Sequence, residues 1–257
     1  MQLKIGSGLF LGGSSKFHLS PSLQGLDSPA IRVGDGVYAG RDGGYVSGHF
    51  YGQRIITIGG FYIGDDCDEA ADLRKELLGY MRIRYSLPIV ITDFGGNTYY
   101  TEGFIKDVKA TIDNPKAGQY QITLVCPDSA LYELEGGLDE INTWKNTTLL
   151  VGTPTVVNNG GNIDSFPVLR LTGTLNNPVL TNLSTNQTFS LDLAESVSDD
   201  LVIDIKHRLV TFGGQSISRY RTIDSSWWAL IPGQNEIELT GVSSSGVLSY
   251  QYGRSGI

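Results

Sequence analysis

The sequence predicts a mainly β protein of two domains. An N-terminal β-barrel or sandwich with one α-helix covers residues 1–138, and an antiparallel β-sandwich covers 139–257. Three observations carry this. Glycine fills 33 of 257 positions without a triplet period, so tight turns are frequent and a collagen-like chain is excluded. Only residues 66–82 combine a helix-capping signal with helical apolar spacing. The stretch 127–146 turns acidic, contains Gly136-Gly137 and keeps no period, which reads as a linker between two strand-rich halves.

Taken in order, residues 1–30 hold a short strand around Leu3–Ile5 and then Ser, Gly, Pro21 and Pro29, the composition of an arm or loop. Ile31–Arg82 reads as a glycine-rich loop at 40–44, two strands and the helix. The strand Arg54–Ile63 is apolar on both faces, with Ile56, Ile58 and Tyr62 on one and Ile55, Phe61 and Ile63 on the other. The helix can cover one face, so the other needs a second layer or a neighbouring subunit. The helix starts at Asp66, with Glu69 completing a capping box, and Ala70, Leu73, Leu77, Leu78 and Met81 form its apolar stripe.

Strands follow at 88–92, 98–101 and 104–110, with turns at 93–97 and 113–118. Tyr120, Ile122, Leu124 and Cys126 then alternate with polar neighbours, which gives one dry face and one wet face. Beyond the linker the pattern is strand and turn alone. Phe189, Leu191 and Leu193 alternate, as do Leu201, Ile203 and Ile205. Runs at 209–212, 227–231, 237–239 and 247–252 end at glycine, proline or polar turns.

Net charge is −8 and only 18% of residues are charged, values unlike those of disordered chains or proteins that grip phosphate backbones. Cys67 and Cys126 form no disulfide framework and fit reduced, cytosolic folding. The N-terminal apolar run is too weak for a signal peptide, and no later run approaches a membrane span. Without an export signal, the sequons at Asn146, Asn182 and Asn186 are chance matches.

No site chemistry emerges. His18, His49 and His207 are scattered, neither cysteine has a close metal-ligating partner, and nucleophile-elbow, zinc-protease and Walker motifs are absent, so no metal, cofactor or catalytic residue is expected. Asp65-Asp66 caps the helix and Asp199-Asp200 belongs to a turn, so neither pair predicts glycosidase geometry. The glycine loop lies between strands instead of opening a helix, so it lacks the amide fan of a phosphate cradle.

The order Arg41-Asp42-Gly43-Gly44, then G-Q-R-I-I-T-I-x-G-F at 52–61, then the leucine-bearing helix resembles the N-terminal domain of the siphophage distal tail (Dit) protein family. Asn158-Asn159-Gly160, Phe166–Arg170, Asn177–Leu180, Leu201–Asp204 and WWALIPGQN at 227–235 extend the resemblance over roughly 30–255. It implies a galectin-like C-terminal sandwich and a non-enzymatic virion protein assembled in the bacterial host cytoplasm. It also implies a homo-hexameric ring that joins the tail tube to the tail-tip, baseplate and receptor-binding proteins. Genomic DNA would pass its channel without specific binding, and no membrane insertion is implied. Arg41, Asp42, Gly43 and Gly44 are then candidate subunit contacts.

Trp227 and Trp228, adjacent and facing opposite ways, are candidates for partner docking or sugar stacking. The alternative function is a carbohydrate-binding, lectin-like module in host-surface adhesion. Against it, Ala229, Leu230 and Ile231 follow Trp228 where galectins place polar sugar ligands.

Overall fold

The computed structural model describes residues 1–21, 23–135 and 142–257, without the side chains of His49 and 195–200. Gly136-Gly137 and the expected boundary at 138/139 lie outside the described residues, and the backbone of Asp199-Asp200 runs within a strand, Ala194–Asp204, not the turn expected of two adjacent carboxylates. The chain divides into two compact units, 1–141 with 255–257, and 142–254.

The first unit combines a large antiparallel sheet, a separate two-stranded ribbon and a covering helix. Its strands are β1 (Gln2–Ile5), β2 (Leu9–Gly12), β3 (Phe17–Leu19), β4 (Ile31–Val37), β5 (Gly44–Tyr51), β6 (Arg54–Ile63), β7 (Leu87–Thr92), β8 (Thr98–Ala110), β9 (Ala117–Cys126) and β10 (Leu131–Glu133). The main order is β2-β1-β7-β8-β9-β6-β3, with β10 on β8. The end strands approach each other: a side chain on Gly12 would meet Leu19 at 2.8 Å. The sheet therefore curls into a nearly closed barrel around Leu3, Ile5, Ile56, Ile58, Ile89, Ile122 and Leu124, all buried.

The short strand expected around Leu3–Ile5 is β1, but the chain goes on into β2 and β3 as far as Leu19 where composition suggests an arm or loop. Leu9 and Leu11 on β2 alternate inward as Leu3 and Ile5 do on β1, but strands of four and three residues separated by Gly and Ser leave too short a run to show the period beyond Ile5. Between 31 and 63 there are three strands, not two. The expected strands at 98–101 and 104–110 are one, β8, whose register shifts between Ile105 and Asp107.

Helix α1 (Cys67–Gly79) begins where the sequence places it. Asp66 accepts the Glu69 N–H at 2.8 Å, and the Glu69 carboxylate accepts from the Asp65 N–H at 2.6 Å and from Lys16. Ala70 and Leu77 are buried against the sheet. Met81 departs from the stripe and is exposed, because Tyr80–Arg82 winds into a 3₁₀ turn and changes the angular phase.

The second unit contains β11 (Trp144–Leu149), β12 (Thr155–Asn159), β13 (Val168–Asn182), β14 (Gln187–Ser190), β15 (Ala194–Asp204), β16 (Leu209–Phe212), β17 (Gln215–Ser216), β18 (Gly233–Val242) and β19 (Gly246–Gln251). The expected linker is therefore shorter than 127–146, since β10 and the start of β11 fall inside that range. A three-residue strand and the polar run WKNTTL give no apolar period to detect.

The fifteen-residue β13 organises this unit. Its first part pairs with β19 and β15 and its last part with β14 and β18. The switch occurs across Asn176-Asn177-Pro178, where Asn177 has φ 52° and proline has no ladder N–H to lose. Leu169, Leu171, Leu180, Phe189, Ile203, Trp228, Ile237 and Leu239 fill the interior. Residues 227–231 form no ladder and make only one isolated bridge, Leu230 to Ser165, and are not the strand their composition suggests.

Candidate functional site

The features with functional weight are apolar surfaces left without cover in the first unit. Strands β4 and β5 pair only with each other, forming a two-stranded arm. Val37 (85% exposed), Val46 (70%) and Phe50 (69%) project from it, with Ile31, Val33, Tyr45 and Tyr51 also exposed. An isolated two-stranded ribbon is marginal in water at best, so an arm this apolar calls for another surface. Its glycines shape it. Gly48 takes φ 56° at a bulge between β5 and β4, and Tyr45 lies over Gly36 so closely that a side chain there would sit 2.7 Å from the ring.

The loop 38–43 forms the tip, with Gly40 at φ 74° and Gly43 at φ 97°. The Arg41 guanidinium stacks 3.8 Å above the Tyr38 ring, and Tyr38 packs on Tyr45 at 5.7 Å. Arg41, Asp42, Gly43 and Gly44 are exposed together there.

The second uncovered surface is the outer face of β6, β9 and β8. Ile56, Ile58 and Tyr62 point inward and are buried, whereas Ile55, Phe61 and Ile63 are each more than 40% exposed. One rung aligns Ile55, Val125 and Phe104 across three strands, and another places Phe61 opposite Gln119. His18 stacks on Phe61 at 4.9 Å. Ile55, Phe61 and Ile63 thus carry no covering layer among the described residues.

The tryptophans separate as adjacent residues should. Trp228 is 1% exposed within the second core, so it offers no ring to a partner or sugar, and that assignment is corrected. Trp227 is half-buried, 4.7 Å from Phe189 and 5.8 Å from the Arg221 guanidinium. Three buried asparagines fix this segment. Asn159 Nδ2 donates to Leu230 O, Asn182 Nδ2 to Ala229 O, and Asn235 grips Ile231. The holding role of these asparagines is invisible in sequence, where they stand only in motifs and a sequon; Val46 and Phe50 of the arm carried a signal, the adjacent apolar pairs Tyr45-Val46 and Phe50-Tyr51.

His207 Nδ1 lies 2.8 Å from Asp204 on an exposed turn. Among the described residues, no three His, Cys, Asp or Glu side chains form a metal-holding group, and no helix is long and apolar enough to cross a membrane.

Comparison with known proteins converges on one group. Residues 160–252 match the family model described as the siphovirus-type tail component, C-terminal domain. The distal tail protein of Bacillus phage SPP1 is 28% identical over 226 residues, 85% of this chain and 84% of that protein. The crystal structure of SPP1 Dit, described as a paradigm of the hub adsorption apparatus in phages infecting Gram-positive bacteria, superposes with a TM-score of 0.68. That alignment has 18% identity and covers 91% of this chain and 92% of the other, so the fold is shared. A chain of the activated phage P2 baseplate aligns over 97% of both chains at 13% identity with a TM-score of 0.43, too distant to bear on the fold.

Proposed function

From the premise that this chain is a relative of siphophage distal tail proteins, we propose that it is a non-enzymatic structural component of the phage tail tip. In this reading six copies close a ring through their first units. The ring joins the tail tube to tail-tip, baseplate and receptor-binding proteins and surrounds the channel through which the genome leaves. The second unit offers docking surface for those partners.

The observation that supports the reading is the pair of uncovered apolar surfaces on one unit, the β4–β5 arm and the outer face of β6. Two different surfaces that cover each other between copies make a heterologous contact, and such a contact closes into a ring when the rotation allows. The exposed tip at Arg41–Gly44 extends that contact. The net charge of −8 per chain is consistent with a lumen to which DNA does not adhere.

The test is the mass of the purified protein by light scattering, with negative-stain images of the same fraction. Six times the 27.9 kDa chain, seen as rings, is the expected result. Single chains at every concentration, alone and with the tube and tip proteins added, would overturn it.

A further inference from the structure

The base of the arm is governed by one buried side chain. Arg54 opens β6, three residues after Tyr51 ends β5, and is 1% exposed. Its guanidinium donates to four backbone carbonyls. Nε reaches Ser129 O at 2.9 Å, Nη1 reaches Gly25 O and Asp27 O at 2.7 Å each, and Nη2 reaches Ser255 O at 2.5 Å. A planar fork with fixed donor directions holds several acceptors in one geometry, which a flexible ammonium does not.

The acceptors come from three separate stretches of chain. Gly25 and Asp27 lie just before β4, so Arg54 ties the strand leaving the arm to the chain entering it. Neighbouring contacts tighten the same point. Gly52 N donates to Ala30 O at 2.7 Å, Gln24 and Thr57 exchange two bonds of 3.0 Å, and Ile257 N donates to Leu26 O at 3.1 Å. Gly25 takes φ 88°, and a side chain there would sit 1.9 Å from Ile55 O. A side chain on Gly256 would meet Leu26 O at 3.0 Å, so the segment 255–257 also fits closely.

We propose that Arg54 is the positioning residue of the β4–β5 arm and that Ser255–Ile257, which supplies one of its four acceptors, is part of the same lock. A stabilising role alone is met as well by apolar side chains, because a buried cation loses its hydration. What an apolar residue cannot do is bind Gly25, Asp27, Ser129 and Ser255 at once. The consequence for assembly rests on the arm being the subunit contact, whereas the direct effect on the arm does not.

Amide hydrogen exchange at a concentration where chains are single tests this. It compares the parent, a chain ending at Arg254, Arg54→Lys, and Ile122→Val as a core control. Removing 255–257 is expected to raise exchange at the ladder amides of 31–51 and at Gly52 at least tenfold while β7 to β9 stay at the parent rate. Arg54→Lys should fall between, since lysine keeps the charge but loses the fork. Unchanged exchange in the arm, or a rise spread over the whole unit as in Ile122→Val, would overturn the proposal. Should Arg54→Lys not fold, the shortened chain alone decides. Arm exchange that responds as expected in a chain that never assembles would sink the ring reading and leave the positioning role standing.

Discussion

Asn235 holds Ile231 by both of its peptide groups, accepting the Ile231 N–H on Oδ1 at 3.0 Å and donating from Nδ2 to the Ile231 carbonyl at 2.8 Å. Asn235 is fully buried, and the residues it grips belong to no ladder. An amide side chain here does the work of a missing strand partner. It is needed because residues 227–231 cross the second core carrying Trp228 without a sheet neighbour along their length.

Asn235→Ala leaves the Ile231 N–H and carbonyl without that partner, and a buried polar group without a bond costs roughly 1–3 kcal/mol. We expect a loss of about 3 kcal/mol in urea unfolding, with Trp fluorescence as the probe. A loss below about 1 kcal/mol would mean that water replaces the amide.

The arm makes a second test. Val46→Asp with Phe50→Asp places charges on side chains that are exposed within one chain. The melting temperature of the single chain should hold to within about 2 °C, since surface changes away from special features are worth roughly ±0.5 kcal/mol. Light scattering should then find single chains where the parent gives a larger species. Arg41→Ala, which loses a stack on Tyr38 worth about 0.5–1 kcal/mol, should weaken assembly less. Assembly that survives the double change would move the contact elsewhere.

Much of this architecture is legible in the residues. The Asp66 cap, the two-faced β6 and the dry face of β9 follow from spacing alone, because each has enough residues to display its period. β2 and β3 hide theirs in four and three residues, and β11 is polar. The uncovered face of β6 could be read as a question, since Ile55, Phe61 and Ile63 alternate with core residues. The arm could not: sequence does not say that β4 and β5 would find no third strand. Arg54 read as an ordinary strand residue because its acceptors, at 25, 27, 129 and 255, are spread over the whole chain.

The N-terminus of α1 gives a pH dependence of known sign. The Lys16 hydrogen bond first, and then the Asp65 N–H, hold the Glu69 carboxyl below its ordinary 4.5. A depressed folded pKa means that the stabilisation is present above the ordinary value and is lost as pH falls through the depressed one. The parent should therefore lose thermal stability on acidification below about pH 4.5 more steeply than Glu69→Gln, which has no proton to take up there. Parallel acid limbs for the two proteins would remove Glu69 as a contributor.

The two cysteines make the last prediction. Cys67 is exposed at the first turn of α1, while Cys126 ends β9 within the barrel interior. Burial raises the Cys126 thiol to about 11, against an ordinary value of 9.0. Thiolate is the reactive form, so at pH 8 burial both blocks access and keeps the sulfur protonated. An aromatic disulfide reagent should modify one thiol per folded chain promptly and the second only as the first unit unfolds. Cys67→Ser should abolish the prompt phase. Because Cys126 pairs in register with Arg54, its slow labelling also reports opening of the sheet where the arm begins. A chain ending at Arg254 that labels Cys126 no faster than the parent, while its arm amides exchange faster, would show that the arm loosens without the barrel opening.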